Sequence, residues 1–244
     1  MKNMLTQLFK SGKRVLRVAV LFSGNAGSAQ FVQKQIAEKS RLKNKIQIVC
    51  ALTDKNIARG IPALEALGIP IIKTDFKEFC ASHSLETRDL NGRKKYFEFV
   101  SEKLKEFNPD ILMLSGFMKI ITEPLLSEFE NRIINVHPAD LSIMENGKPK
   151  FTGDNAVKDA INAGEKFVRS SVHIVLGKVD CGPVIVLSKP IAVSGSAEET
   201  QEILKREGDD PAFLKALELI AEGKVAVECG NVFIEGKKGF FKLS

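Results

Sequence analysis

Residues 17–28 read R-V-A-V-L-F-S-G-N-A-G-S, and this stretch decides the fold. Its first seven residues are mostly apolar, which is typical of a strand buried on both faces. The glycine-containing residues that follow predict a tight turn, and the next segment at 29–42, A-Q-F-V-Q-K-Q-I-A-E-K-S-R-L, has the apolar spacing of an amphipathic helix. A buried strand, a short turn and a helix form the repeating unit of a parallel sheet.

The same alternation continues through residue 137. Apolar patterning predicts further strands at 45–53, 70–74, 110–115 and 133–137, and helices at 58–67 and 94–107. Gly68 is the expected C-cap of the first of these helices. The pattern therefore predicts an α/β fold with a mostly parallel sheet and right-handed crossovers.

The chain after residue 137 has a different pattern. It predicts a helix at 154–163, strands at 171–176 and 184–193, and a helical stretch at 200–221 that is interrupted near Gly208–Pro211. A hairpin over 225–235 should turn at Gly230-Asn231. Short links between these strands predict a mixed C-terminal part of the sheet, and the absence of a low-complexity linker predicts one domain over 17–244.

The net charge of +6 is concentrated at the two ends of the chain. Residues 1–16 form a basic extension, and for residues 1–13 an amphipathic helix and plain disorder both remain open. The body is nearly neutral and contains no Trp and one Tyr, which argues against a nucleic-acid partner. The basic residues at the ends are Lys2, Lys10, Lys13, Arg14, Lys237, Lys238 and Lys242.

Four scattered cysteines form no C-x-x-C pair, so no metal site is predicted. Their usage is typical of a reducing cytoplasm, where we expect the protein to reside. The sequence has no apolar stretch near the roughly 20 residues of a membrane span, and no membrane partner is expected. The oligomeric state, monomer or homodimer, stays open.

The strand at 133–137 ends in two polar side chains, Asn135 and His137. Since strand side chains alternate between faces, both point to the same side, at the carboxyl end where α/β sheets bind ligands. An amide donor and an imidazole could together stabilise a developing oxyanion. A carboxylate partner would orient the imidazole, and Asp140 and Asp180 are both candidates. His173 either lines the same site or is a satisfied core histidine.

Two other strand ends are candidate ligand sites. The turn Gly24–Ser28 precedes a helix, so its backbone could hold a phosphate, although an ordinary tight turn explains it equally well. Ser115-Gly116-Phe117-Met118-Lys119 follows the fourth strand, where Phe117 and Met118 either fill the core or line a flat apolar ligand site.

These motifs resemble the folate-dependent formyltransferase family. The resemblance rests on S-G-F-M-K-I at 115–120, I-N-V-H-P-A-D-L at 134–141, S-S-V-H-I-V at 170–175 and V-D-C-G-P at 179–183, and it extends from about Arg17 to the end of the chain. It implies a Rossmann-like sheet with helices on both faces and small-molecule substrates. The implied reaction transfers a formyl group from 10-formyltetrahydrofolate, as co-substrate, to a primary amine without a metal.

The resemblance also implies roles for individual residues. Asn135, His137 and Asp180 form the catalytic triad, which favours Asp180 over Asp140. The implied folate-binding residues are Phe117, Met118, Lys119, Ile120, Ile121 and Val175. The implied phosphate-binding residues of the second substrate are Gly24, Asn25, Ala26, Gly27 and Ser28. Weaker substrate-binding matches are Arg93, placed before the third helix, His173 and Glu207.

The sequence departs from the family on the substrate side. The first turn reads S-G-N-A-G-S where the family commonly has S-G-N-G-S-N, and the polar residues 143–157 lack the usual histidine. The resemblance implies glycinamide ribonucleotide, an intermediate of purine biosynthesis, as the acceptor amine. Another amine, such as an amino sugar, and a catalytically silent folate- or nucleotide-binding protein are the alternatives.

Overall fold

The computed structural model describes residues 5–12 and 14–244. Residues 1–4 and 13, and with them parts of the predicted basic extension, lie outside this description. The strands are β1 Thr6–Gln7, β2 Leu16–Phe22, β3 Ile46–Thr53, β4 Ile71–Lys73, β5 Ile111–Leu114, β6 Ile133–His137, β7 Met144–Glu145, β8 Lys148–Pro149, β9 Phe167–Val168, β10 Ser171–Ile174, β11 Val184–Leu187, β12 Ile191–Ala192, β13 Val225–Glu228, β14 Asn231–Ile234, β15 Lys237–Lys238 and β16 Phe241–Lys242.

The helices alternate with the strands in the first half of the chain. They are α1 Gly27–Glu38, α2 Ser40–Lys43, α3 Ile61–Ala66, α4 Phe76–Ser82, α5 Leu90–Lys105, α6 Leu125–Glu128, α7 Ala156–Asn162, α8 Ala197–Leu204 and α9 Asp210–Ala221. The chain divides into two compact units, Val15–Ile133 and a second made of residues 1–14 with Ile134–Ser244.

The unit Val15–Ile133 contains parallel strands in the order β5-β2-β3-β4. Every β2 residue except Arg17 is buried, as the apolar run predicts. The C-cap of α3 is Leu67, one residue before the predicted Gly68, and Gly68 follows it with a φ of 75°, in the left-handed conformation that ends many helices. The α/β fold with parallel strands in this half of the chain is thus confirmed.

Several helices of this unit differ from the sequence prediction, since the helix predicted over 29–42 is two helices, α1 and α2, and α6 was not predicted. Side-chain capping explains two further differences. Helix α4 was not predicted; it begins where the Asp75 carboxylate accepts hydrogen bonds from the amides of Lys77 and Glu78. Helix α5 begins at Leu90, four residues earlier than predicted, because Asp89 caps it by accepting from the amide of Asn91. In both places the helix begins where a side chain caps its first amides, and not where the apolar repeat begins.

The second unit contains the predicted mixed strands. Strand β10 pairs antiparallel with both β6 and β11, and β16 pairs parallel with β11. The single strand predicted over 184–193 is wrong, since β11 ends at Leu187 and β12 begins at Ile191 after Lys189-Pro190. Proline cannot donate to a sheet ladder, so it separates the two strands.

The helical stretch after residue 196 is interrupted in an unexpected way. Residues Lys205–Asp209 form a π-helical turn between α8 and α9, rather than a break. Gly208 lies within it, and a side chain there would clash, since a Cβ would lie 2.7 Å from Ser170 Oγ and 2.8 Å from Leu204 Cδ1. The wide turn therefore accommodates a close approach to neighbouring side chains.

The N-terminal residues contribute to the second unit. Strand β1 pairs antiparallel with β13, and Leu8 and Phe9 that follow it are buried. Residues 6–7 are therefore a strand, neither an amphipathic helix nor disordered. The division into a basic extension, residues 1–16, and one domain, 17–244, stays a prediction.

Candidate active site

The polar pair at the end of β6 faces a second polar pair on β10. The antiparallel register places Asn135 opposite His173 and His137 opposite Ser171. The Asn135 amide nitrogen lies 3.3 Å from His173 Nε2, and both histidines are buried, at 4% and 2% exposure. Period-two geometry thus brings four polar side chains to one face of two adjacent strands.

Asp180 lies against both imidazoles. One carboxylate oxygen is 3.4 Å from His137 Nδ1 and the other is 3.7 Å from His173 Nε2. Asp140, the other candidate, instead accepts hydrogen bonds from the amide and hydroxyl of Ser142 in its own turn. The structure therefore brings together Asn135, His137, His173 and Asp180.

The turn that carries Asp180 is held close to β10 by a glycine. A Cβ on Gly182 would lie 1.7 Å from the carbonyl oxygen of Ile174, so no other residue fits without moving the backbone. The amide of Ile174 donates to the Pro183 carbonyl at 3.0 Å. In the sequence, Gly182 stands out only as a member of the motif V-D-C-G-P, and its contact with the strand could not be read from the sequence.

Two backbone groups that sequence reasoning missed also contact the cluster. His137 Nε2 lies 2.9 Å from the carbonyl oxygen of Phe151, and the amide of Gly153 donates to Asp180 Oδ2 at 3.0 Å. Both groups follow the hairpin β7–β8, which turns at Asn146-Gly147, where both residues have positive φ. No side-chain pattern in the sequence signals such backbone contacts.

Burial dominates the electrostatics of the two histidines. It lowers the pKa of His137, and the nearby Asp180 carboxylate partly opposes that effect. Burial lowers the pKa of His173 to about 4, so this ring is neutral near pH 7. Since His173 Nδ1 faces the Ile174 carbonyl at 3.0 Å, Nδ1 carries its proton, and Nε2 accepts from Asn135.

The first turn, Gly24–Ser28, has the backbone of a helix N-terminus without a side-chain cap. Ala26 is the N-cap residue, in a left-handed conformation with φ of 52°. The amide of Ala29, inside α1, donates to Ser115 Oγ at 3.2 Å. A helix start of this kind favours an anion, and it agrees with the phosphate prediction without testing it.

The segment after β5 divides its side chains between core and solvent. Phe117 and Ile121 are buried, whereas Met118 and Ile120 are 63% and 49% exposed. Lys119 does not point to an open site, since its Nζ lies 3.1 Å from the buried Asp54 carboxylate and over the Phe76 ring. Exposed apolar side chains of this kind suit a flat apolar ligand.

The remaining predicted site residues are spread over both units. Val175 follows β10 and is half-buried, next to the exposed Leu176. Arg93 lies inside the first turn of α5, so its placement before a helix is wrong: the Asp89 cap starts the helix upstream of it. Glu207 forms ion pairs with Lys189 at 3.0 Å and Arg206 at 3.2 Å, and its substrate-binding role stays a prediction.

Within residues 5–12 and 14–244, no cluster of three or more His, Cys, Asp or Glu side chains could hold a metal ion. Over the same part of the chain, every helix is too short or too polar to cross a membrane.

The sequence pattern of the Formyl transferase family matches residues 16–216. The chain belongs to this family. It is 30% identical over 219 residues to the trifunctional purine biosynthetic protein adenosine-3 of Gallus gallus, covering 89% of this chain and 20% of that protein. It thus spans about a fifth of the length of this relative.

Solved structures of similar fold include two enzymes with different names. A phosphoribosylglycinamide formyltransferase from Anaplasma phagocytophilum superposes with a TM-score of 0.75 at 27% identity, covering 95% of this chain and all of that one. A formyltetrahydrofolate deformylase from Pseudomonas syringae pv. tomato gives a TM-score of 0.73 at 19% identity, covering 91% and 66%. The second similarity concerns the fold alone.

Proposed function

We propose that this formyltransferase moves the formyl group of 10-formyltetrahydrofolate to the primary amine of glycinamide ribonucleotide, a step of purine biosynthesis. The observation that carries the proposal is the buried cluster in which Asp180 lies 3.4 Å from His137 Nδ1, beside Asn135. The similar structure from Anaplasma phagocytophilum, which is matched over its whole length, is named a phosphoribosylglycinamide formyltransferase.

The cluster suits the chemistry of formyl transfer. The amine nitrogen attacks the formyl carbon, and negative charge develops on the formyl oxygen. Asn135 uses one amide hydrogen toward His173, and its second can donate to that oxygen. Protonated His137 supplies positive charge near this oxygen, and an oxyanion donor such as the Asn135 amide is worth about 3–4 kcal/mol in the transition state.

The collapse of the intermediate completes the transfer. The carbon–nitrogen bond to the folate breaks, N10 of the folate takes up a proton, and the amine that attacked loses one. Asp180, fixed between His137 and the Gly153 amide, favours the imidazolium and can accept a proton through a water molecule. No metal takes part in this scheme.

Each substrate has a candidate binding segment in the described residues. The exposed apolar side chains Met118 and Ile120 support the folate prediction in the first unit. Leu176 and Val179, 39% and 49% exposed, flank the Asp180 turn in the second. The uncapped start of α1 at Gly27 supports a phosphate group on the acceptor.

The test supplies purified protein with 10-formyltetrahydrofolate and glycinamide ribonucleotide. Mass spectrometry should detect formylglycinamide ribonucleotide, at a rate that matches the absorbance change of the donor. A reaction without amine controls for hydrolysis of the donor. Release of formate at the same rate without any amine would contradict the proposal in favour of a hydrolase.

The altered acceptor-side residues make a second acceptor worth testing. The polar residues 143–157, which include the hairpin β7–β8, lack the histidine that the family commonly carries there. A formylated product with an amino sugar but none with glycinamide ribonucleotide would assign the acceptor to that class. Folate binding without any product would indicate a silent binding protein.

A further inference from the structure

Both ring nitrogens of His137 face oxygen atoms of this chain. Nε2 lies 2.9 Å from the Phe151 carbonyl oxygen, and Nδ1 lies 3.4 Å from Asp180 Oδ2. A carbonyl oxygen can only accept a hydrogen bond, so Nε2 must carry a hydrogen. Protonation of the ring therefore adds its hydrogen at Nδ1, toward the carboxylate.

Asp180 is in turn held by the same segment. The Gly153 amide donates to Asp180 Oδ2, the oxygen that faces His137. Asp180 has a φ of 52°, in the left-handed region that Asp and Asn adopt more readily than other residues with a side chain. The Gly153 amide thus gives this carboxylate a fixed hydrogen-bond partner at the oxygen that faces His137.

The segment that supplies both groups is itself fixed. The Phe151 side chain is 3% exposed and packs in a cluster with Ala139, Ala156 and Leu204. Gly153 has a φ of 79°, which turns the chain so that its amide can point to the carboxylate. A Cβ at Gly153 would meet no atom within 4 Å, so backbone conformation alone requires glycine there.

We propose that Phe151–Gly153 is a positioning segment of the active centre, in which the Phe151 carbonyl fixes the proton of His137 on Nε2 and the Gly153 amide orients Asp180 toward Nδ1. This inference deepens the proposed function, and its effect on turnover rests on that function. It also connects the substrate-side hairpin to the catalytic histidine, because β8 ends two residues before Phe151.

The tautomer can be tested in the unaltered protein. The chain has three histidines, so nitrogen-15 imidazole spectra are simple, and His137→Asn and His173→Asn variants assign the signals. Above the titration midpoint, His137 should show a protonated Nε2 and an unprotonated Nδ1. A neutral His137 with its hydrogen on Nδ1 would overturn the proposal without any reference to catalysis.

The orienting role of Gly153 is tested by a pair of substitutions. Gly153→Ala disfavours the positive φ and should displace the amide, whereas Gly153→Asn tolerates that conformation. Without an oriented Asp180, the titration midpoint of His137 should fall in Gly153→Ala and stay near that of the unaltered protein in Gly153→Asn. The kcat should fall about tenfold or more in the former, with the KM values changed less.

Gly147→Ala is the matched control, since Gly147 has a φ of 74° and equally open surroundings in the exposed hairpin turn. It should leave the His137 spectrum and kcat near normal. Equal changes in Gly147→Ala, or an unchanged His137 midpoint in a folded Gly153→Ala, would overturn the proposal. Altered His137 spectra in a protein that formylates no amine would instead contradict only the proposed function.

Discussion

His137 and His173 share one carboxylate but differ in their hydrogen bonds. His173 donates from Nδ1 to the carbonyl of its neighbour Ile174 and accepts from Asn135, an arrangement that suits a neutral ring. His137 faces an acceptor at each nitrogen, which suits a ring that gains a proton. We propose that the proton-gaining role in the reaction belongs to His137 and that His173 positions Asn135.

Replacing His137 tests this division of roles. His137→Ala should reduce kcat at least about 100-fold, because it removes the positive charge beside the formyl oxygen. The thermal transition should still be cooperative. Steady-state rates with both substrates measure the effect.

His83→Ala is the control for this substitution, since His83 is exposed and stacks on Phe79. It should retain nearly full turnover. A near-normal kcat in His137→Ala would show that Asn135, His137 and Asp180 do not act as a catalytic triad.

Asp209 is a buried carboxyl group outside the catalytic cluster. Burial raises its pKa to about 7, and the Ser170 hydroxyl donates to it. An acid whose pKa is raised on folding favours the folded state at low pH, and this contribution is lost as pH rises through about 7. His173, with its lowered pKa, has the opposite dependence between about 6.5 and 4.

Asp209→Asn should therefore change stability in a pH-dependent way. From pH 5 to pH 8, the free energy of unfolding of the variant should rise relative to that of the unaltered protein by on the order of 2 kcal/mol. The reason is that the variant has no buried carboxyl group that must ionise. Urea unfolding at the two pH values measures the difference. The exposed Asp159→Asn should show no such trend, and an equal offset at both pH values for Asp209→Asn would refute the ionisation argument.

At the scale of elements, the first turn is shaped by a glycine that is far from it in sequence. The Gly60 amide donates to the Gly24 carbonyl at 2.9 Å, and a Cβ on Gly60 would lie 2.7 Å from the Asn25 carbonyl oxygen. Gly60 has a φ of −74°, which any residue adopts, so space rather than backbone conformation requires glycine. The start of α3 and the turn before α1 therefore fit together only without a side chain.

Gly60→Ala should displace the turn Gly24–Ser28. If the turn holds the phosphate of the acceptor, the KM for glycinamide ribonucleotide should rise about tenfold while the KM for the folate changes little. Initial rates with each substrate varied in turn separate the two. Gly12→Ala, at a glycine with open surroundings, is the control, and an equal rise in both KM values would argue for general disruption.

The sequence predicted the parallel strands well because a buried strand needs a continuous apolar run, as in residues 16–22. It predicted the pairing of Asn135 with His137 on one face because strand geometry alternates by one residue. It left Asp140 and Asp180 open, since their distances to His137 depend on the paths of two turns. The contacts of Phe151 and Gly153 are made by the backbone, which every residue shares, so side-chain patterns could not reveal them.

At the scale of the whole molecule, aromatic side chains near both ends of the chain pack against basic side chains. Arg14 lies over the Phe9 ring, and Lys215 lies over the Phe241 ring. Phe9 is 3% exposed, although it belongs to a segment that the sequence predicted to be an extension. The basic character of these residues gave no indication of their packing, which depends on β13 more than 200 residues later.

Truncating Phe9 tests whether the N-terminal segment stabilises the protein. Phe9→Ala should lower the free energy of unfolding by about 3 kcal/mol, or the melting temperature by roughly 6–12 °C, because it removes a buried ring. Differential scanning calorimetry measures the shift. Leu5→Ala, at a residue 44% exposed, should change it little, and an unchanged transition in Phe9→Ala would mark the segment as dispensable.

The glycine contact at Gly182 also has an evolutionary consequence. With 1.7 Å between a hypothetical Cβ and the Ile174 carbonyl oxygen, any replacement at this position should be purged by selection in every descendant that keeps Asp180 in place. The hairpin β7–β8 is exposed and its strands pair only with each other over the described residues, so its turn tolerates substitution better than Gly182 does. If the proposed reaction holds, we expect changes of acceptor amine to arise in this hairpin while the contacts of Asp180 are inherited unchanged.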